Sequence, residues 1–133
     1  KSEHGITAVV VDYVQTILNP KVSRYEAITD NSQRIKALAL ECDVAILLLA
    51  QASRQIEQRG QIEFLTSDLK ESGSLEQDAD LIAGLYWWGR GTNESMPPNR
   101  ADLHLIKRRN GPIHQPMVPM LFDAPRQTYS DWF

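Results

Sequence analysis

Two short runs of β-branched and aliphatic residues, 6–11 and 44–49, constrain the fold of this chain more than any other feature. Each is too short for a typical helix and apolar on both faces, the pattern of a strand buried in a parallel sheet. Between them Ser23 and Glu26 form an S-x-x-E capping box, and Ile28, Ile35, Leu38, Ala39 and Cys42 recur at helical spacing. That spacing predicts an amphipathic helix of about four to five turns. Strand, helix, strand in this order predicts an α/β fold built on a parallel sheet. Asp12 and Gln51 then follow the C-terminal ends of the two strands, the edge at which ligands collect in such sheets.

Beyond Gln51 the apolar pattern lapses into charges of both signs as far as residue 72, which predicts a long surface excursion, functional or mobile. Ser74 and Gln77 repeat the capping signature and predict a short helical turn capped at Ser74. Residues 81–88 form another apolar strand, and 89–99, rich in Gly, Pro and Asn, form a turn or loop. Alternation over 103–108 runs into the N-G-P turn at Asn110, Gly111 and Pro112, and a second apolar run at 117–122 completes a predicted β-hairpin. Pro119 predicts an edge position for that second strand, and 129–133 adds a further short strand.

Of the 133 residues, 42% are hydrophobic and 23% charged, the make-up of a globular domain. Fourteen basic against 17 acidic residues leave a net charge of −3, which excludes a global basic coat for nucleic acid and makes any anion site local. The single Cys42 has no intrachain disulfide partner and reads as core filler, so a reduced, intracellular compartment is expected. No run approaches the roughly 20 apolar residues of a membrane span. The chain begins at Lys1 and enters a strand within a few residues, and a fragment of one longer domain is expected over 1–133.

Several residues are candidates for chemistry. A carboxylate at the end of a buried strand, as Asp12 is, either holds magnesium or caps the following turn. Gln51 offers an uncharged amide to a phosphate, a water or a neighbouring strand. Lys107, Arg108 and Arg109 lead into a tight turn, either as a solvated basic face or as a finger that reaches an anion. His4, His104 and His114 lack the spacing of a zinc site, and none reads as catalytic. There is no G-x-S-x-G elbow, no C-x-x-C pair and no G-x-x-x-x-G-K-[ST] phosphate loop.

Four stretches taken together, V-V-V-D-Y-V-Q at 9–15, L-L-L-A-Q-A-S-R at 47–54, S-D-L-K-E-S-G-S-L-E-Q-D-A-D at 67–80 and K-R-R-N-G-P at 107–112, resemble the C-terminal half of the RecA-like motor domain of DnaB-type replicative DNA helicases. The similarity covers nearly the whole chain. It implies a RecA-like α/β fold, a mostly parallel sheet with flanking helices and a C-terminal β-hairpin, here without the strand that carries the phosphate loop. It implies a cytoplasmic hexameric ring, in a bacterial or phage-infected cell, that moves 5′ to 3′ on single-stranded DNA using ATP and Mg²⁺, with a primase or helicase loader as a further partner. By resemblance Asp12 matches the Walker-B carboxylate that orders magnesium, and Gln51 the polar sensor of the γ-phosphate. Lys107 and Arg109 match the pair supplied across the subunit interface, Arg109 in the arginine-finger place. Lys70, Glu71 and Gly73 match the loop that grips DNA.

Two departures matter. Lys70 stands where the family has Arg, which keeps the charge and gives up the bidentate fork. The phosphate loop and the catalytic Glu that precede the Walker-B strand in this family are missing, so the fragment alone is expected to hydrolyse no ATP and to leave apolar sheet edges exposed. A non-catalytic RecA-like binding module, or a degenerate helicase paralogue, is the alternative from another class. A recombinase-type ATPase is a third reading, less suited to the E-Q-D-A-D word.

Overall fold

The computed structural model describes residues 5–17, 19–53, 55–58, 64–69, 73–90, 96–113 and 117–132. They pack as two compact units, one made of residues 1–54 and 67–79, the other of 55–66 and 80–133.

In the first unit, strand β1 (Ala8–Val11), helix α1 (Arg24–Cys42) and strand β2 (Ala45–Leu48) follow in the expected order. The strands pair in parallel, with Ala8 opposite Ala45 and Val11 opposite Leu48. Helix α1 starts at the expected capping box. The Ser23 side chain accepts from the Glu26 N–H, and Glu26 accepts in return from the Ser23 backbone. The Ser23 hydroxyl also donates to Glu26 Oε2 at 2.7 Å, and this bond first, then the one from the Ser23 backbone N–H, holds the Glu26 carboxyl below its ordinary value. The helix ends at Asp43, which takes the left-handed conformation common just past a C-terminus.

The core of this unit is Val14, Ile28 and Leu75, with Leu48 and Leu69 packed against them. Leu75 belongs to the short helix α3 (Gly73–Asp78), which is tied to α1 by a 2.6 Å hydrogen bond from Ser32 Oγ to Asp78 Oδ2. Helix α3 already includes Ser74, so the cap expected at that residue lies inside the first turn instead. Cys42 ends α1 only half-buried rather than as core filler.

Burial of β1 is not observed. Val10 is 62% and Leu47 59% exposed. Buried parallel strands have both faces covered by other layers, and among the described residues β1 and β2 do not.

The second unit holds the short helix α2 (Gln55–Gln58) and an antiparallel sheet in the order β3 (Leu81–Trp87), β4 (Arg100–Arg108), β5 (Met117–Asp123), β6 (Thr128–Asp131). Among the described residues parallel pairing is therefore confined to β1 and β2. Strands β4 and β5 pair antiparallel as the expected hairpin, with Arg100 opposite Leu121 and His104 opposite Met117 among the described residues. On its other side β4 pairs with β3, from Ala101 opposite Trp87 to Arg108 opposite Leu81. The basic cluster thus stands at the end of the β3–β4 ladder.

Strand β5 lies inside the sheet rather than at its edge. Strand β6 reaches only as far as Met120, however, so at Pro119 the missing N–H faces no partner in that ladder. Gly84 is required by packing, since a Cβ there would sit 2.7 Å from the Phe64 ring. Among the described residues no helix is long and apolar enough to cross a membrane.

Candidate functional site

In-register parallel pairing decides where Asp12 and Gln51 go. The ladder runs past both strands, Leu49 N–H donating to the Val11 carbonyl at 2.9 Å and Val14 N–H to the Leu49 carbonyl at 3.0 Å. Asp12 and Gln51 therefore emerge on the same rim, each exposed. Behind them Gln15 is only 4% exposed, and its Oε1 accepts from the Gln51 backbone N–H at 3.3 Å. Its Nε2 is buried without a hydrogen-bond partner among the described residues. Gln15 lies within the first of the four matching stretches, yet nothing local to the sequence predicts its burial beneath this rim.

A single exposed carboxylate suits magnesium in one way only. The ion keeps several waters and takes further oxygens from nucleotide phosphates, with one or two protein carboxylates beside them. Among the described residues no group of three or more His, Cys, Asp and Glu side chains is placed to hold a metal alone. An exposed carboxylate at a strand end, as Asp12 is, could serve as such a carboxylate.

Lys107 and Arg109 lie in the other unit, at the end of β4. The intervening Arg108 turns back to its own loop, where its guanidinium donates to the Pro112 carbonyl at 3.3 Å. Gly111 at φ +115° makes that loop possible. Arg109 keeps 44% of its side chain exposed and forms an ion pair with Asp80, Nη1 to Oδ1 at 3.0 Å. The sequence points to Arg109 but not to its partner.

Of the three residues assigned to a DNA loop, Lys70 and Glu71 lie outside the described residues. Gly73 is the exposed first residue of α3, and a Cβ there would meet nothing within 4 Å. Packing among the described residues does not require glycine at this position.

Further along β4, His104 packs its ring against Phe64, centroids 5.2 Å apart, and its Nε2 is buried without a partner among the described residues. Burial lowers its pKa below the ordinary 6.5; Asp102 opposes the shift and Arg100 adds to it. A histidine held neutral in the fold contributes stability above its unfolded pKa, and that contribution is lost as pH falls through the lower folded value. Urea midpoints measured at about pH 8 and about pH 5 are expected to differ more in the parent than in His104→Leu. Equal differences would refute a role for His104 in the acid sensitivity.

Comparison with known proteins places this geometry among relatives. The family model described as the DnaB-like helicase C-terminal domain matches residues 1–131. The replicative DNA helicase DnaB of Geobacillus stearothermophilus is 39% identical over 116 residues, covering 85% of this chain and 26% of that protein. The replicative DNA helicase DnaC of Bacillus subtilis is 36% identical over 116 residues, with the same coverage of 85% and 26%. A DnaB-like replicative helicase, solved together with its interactions with primase, superposes at TM-score 0.85 and 34% identity over 98% of this chain and 31% of that one. A second solved structure, that of an ATPase domain, superposes equally, at 0.85 and 34%, over 98% of this chain and 46% of its own. The chain thus spans about a quarter of the length of the curated relatives it matches.

Proposed function

Since the chain belongs to the DnaB-like helicase C-terminal domain family and has the RecA-like ATPase fold, we propose that it is the C-terminal portion of one motor domain in a replicative DNA helicase. In this reading the whole protein is a cytoplasmic hexameric ring that couples ATP hydrolysis with Mg²⁺ to 5′ to 3′ movement on single-stranded DNA. Primase or a helicase loader is its further partner. The observation that carries the reading is the delivery of Asp12 and Gln51 to one rim of a parallel pair, within a chain matched to this family over 131 of its residues.

Each residue's task follows from its chemistry. Asp12 holds the metal that accompanies the triphosphate. Gln51, whose main chain is fixed by Gln15, presents an amide that donates to or accepts from the phosphate region without adding charge. Lys107 and Arg109 bring positive charge to a neighbouring subunit's nucleotide, and Arg109 stabilises charge that develops on the phosphoryl oxygens. Half of each site comes from either side of an interface, so hydrolysis depends on assembly.

Lys70, Glu71 and Gly73 contact the DNA backbone. Lys70 supplies the cation, Glu71 orients Lys70 or a basic group nearby, and Gly73 lets main-chain N–H groups approach a phosphate closely. Such contacts read no bases, as movement along any sequence requires. In the full-length protein Lys70→Ala is expected to weaken single-strand binding and to flatten the plot of log affinity against log salt by about 0.7, the slope that one neutralised phosphate adds on a single strand. An unchanged slope would remove Lys70 from the DNA interface. The motor itself is tested by ATP-driven separation of a forked duplex with a 5′ single-stranded tail. DNA binding without nucleotide turnover would overturn the motor and favour a non-catalytic binding module.

A further inference from the structure

The geometry points to Asp80 as the residue that positions Arg109, an inference that rests on the interface role proposed above for that arginine. Leu81 stands opposite Arg108 in the β3–β4 ladder, so Asp80 falls opposite Arg109, one rung beyond the strands. There the Arg109 N–H donates to the Asp80 carbonyl at 2.8 Å, while the Asp80 carboxylate sits 3.0 Å from Arg109 Nη1. One residue therefore ties both the root and the tip of the arginine. Arg108, next to it, is committed to the Pro112 carbonyl, so the two arginines are sorted into one that closes the turn and one that is held in solvent.

The pair is too exposed for stability to be its main consequence, with side chains 44% and 59% accessible. What it changes is orientation. An arginine side chain has four rotatable bonds, and a guanidinium that must meet a phosphoryl group in a neighbouring subunit loses rate when it arrives displaced or rotated. A carboxylate at Nη1 narrows that freedom, and the guanidinium's five N–H donors allow a carboxylate and a phosphate to be held together. Asp80 thus acts through Arg109 and touches neither nucleotide nor metal.

The test uses the full-length protein, with steady-state ATP hydrolysis at saturating single-stranded DNA. Asp80→Asn keeps the shape and the backbone bond but removes the charge, and it is expected to lower kcat by about tenfold, at most about 10²-fold. Nucleotide KM is expected to stay within about twofold. Asp80→Glu restores most of the rate, and Asp80→Ser repeats the loss with a smaller side chain. In an Arg109→Ala background Asp80→Asn is expected to have no further effect, whereas a merely structural role would lower kcat again. Unchanged turnover in Asp80→Asn beside an impaired Arg109→Ala, or losses that multiply in the double variant, would overturn the inference while leaving the arginine's role intact. Full turnover in Arg109→Ala would remove that role, and this inference with it.

Discussion

Arg109→Ala in the full-length protein is expected to lower DNA-stimulated ATP hydrolysis by about 10³ to 10⁵ while nucleotide still binds. The size of the effect follows from where the charge is needed. Phosphoryl transfer spreads negative charge over oxygens that a fixed cation stabilises most in the transition state, so its loss falls on kcat rather than on affinity. Arg109 has the mounting that such a task requires: its main chain is bonded to Asp80 at 2.8 Å, and its guanidinium remains 44% exposed. Arg109→Lys keeps the charge but not the planar fork, and is expected to recover only part of the loss. If the proposed ring forms, assemblies mixed from parent and Arg109→Ala subunits locate the effect, since a residue acting across the interface would poison its neighbour's site. Turnover of Arg109→Ala within about twofold of the parent would exclude the arginine from catalysis.

The parts of the fold legible in the sequence are those fixed by local physics. The Ser23–Glu26 box marks the start of α1 because both of its hydrogen bonds close within three residues. The two apolar runs read as parallel strands because only a crossover helix lies between them, and their pairing carries Asp12 and Gln51 to a shared rim. What depended on register was not legible. The turn chemistry of Asn110, Gly111 and Pro112 marks the connection from β4 to β5, which pair as expected, yet it is silent on β4's choice of a second neighbour, β3, along Ala101 to Arg108. The partner of Arg109 follows from that second choice, which no periodicity in 81–108 reveals. Pro119 carried a true signal at the wrong scale, since it faces away from a ladder only at its own position in an otherwise interior strand. Ser74 failed as a cap because helix α3 begins at Gly73, and the S-x-x-Q pattern fits equally well one step inside a helix.

Asp102→Ala is expected to destabilise the second unit by about 3–5 kcal/mol, the range for breaking one partner out of a buried charged pair. Asp102 sits on β4, between Tyr86 and Pro119 in the ladders, and is only 1% exposed. Its two carboxylate oxygens are both engaged: Oδ1 accepts from Arg100 Nε at 2.9 Å, and Oδ2 from the Trp88 indole N–H at 2.7 Å. Alanine would strand a largely buried guanidinium and an indole donor together. The Arg100 guanidinium also lies 5.5 Å from the centre of the Trp132 ring, an attraction that persists in the variant but supplies no hydrogen-bond acceptor. Asp102→Asn retains an acceptor for one of the two donors and loses the charge, so a smaller cost is expected, and Arg100→Ala in the Asp102→Ala background should restore part of the stability. Hydrogen exchange at the slowest β4 amides reads the opening free energy of this unit directly, even within a longer protein. A cost below about 1 kcal/mol in Asp102→Ala would show that water replaces the carboxylate and that the pair is not buried in solution.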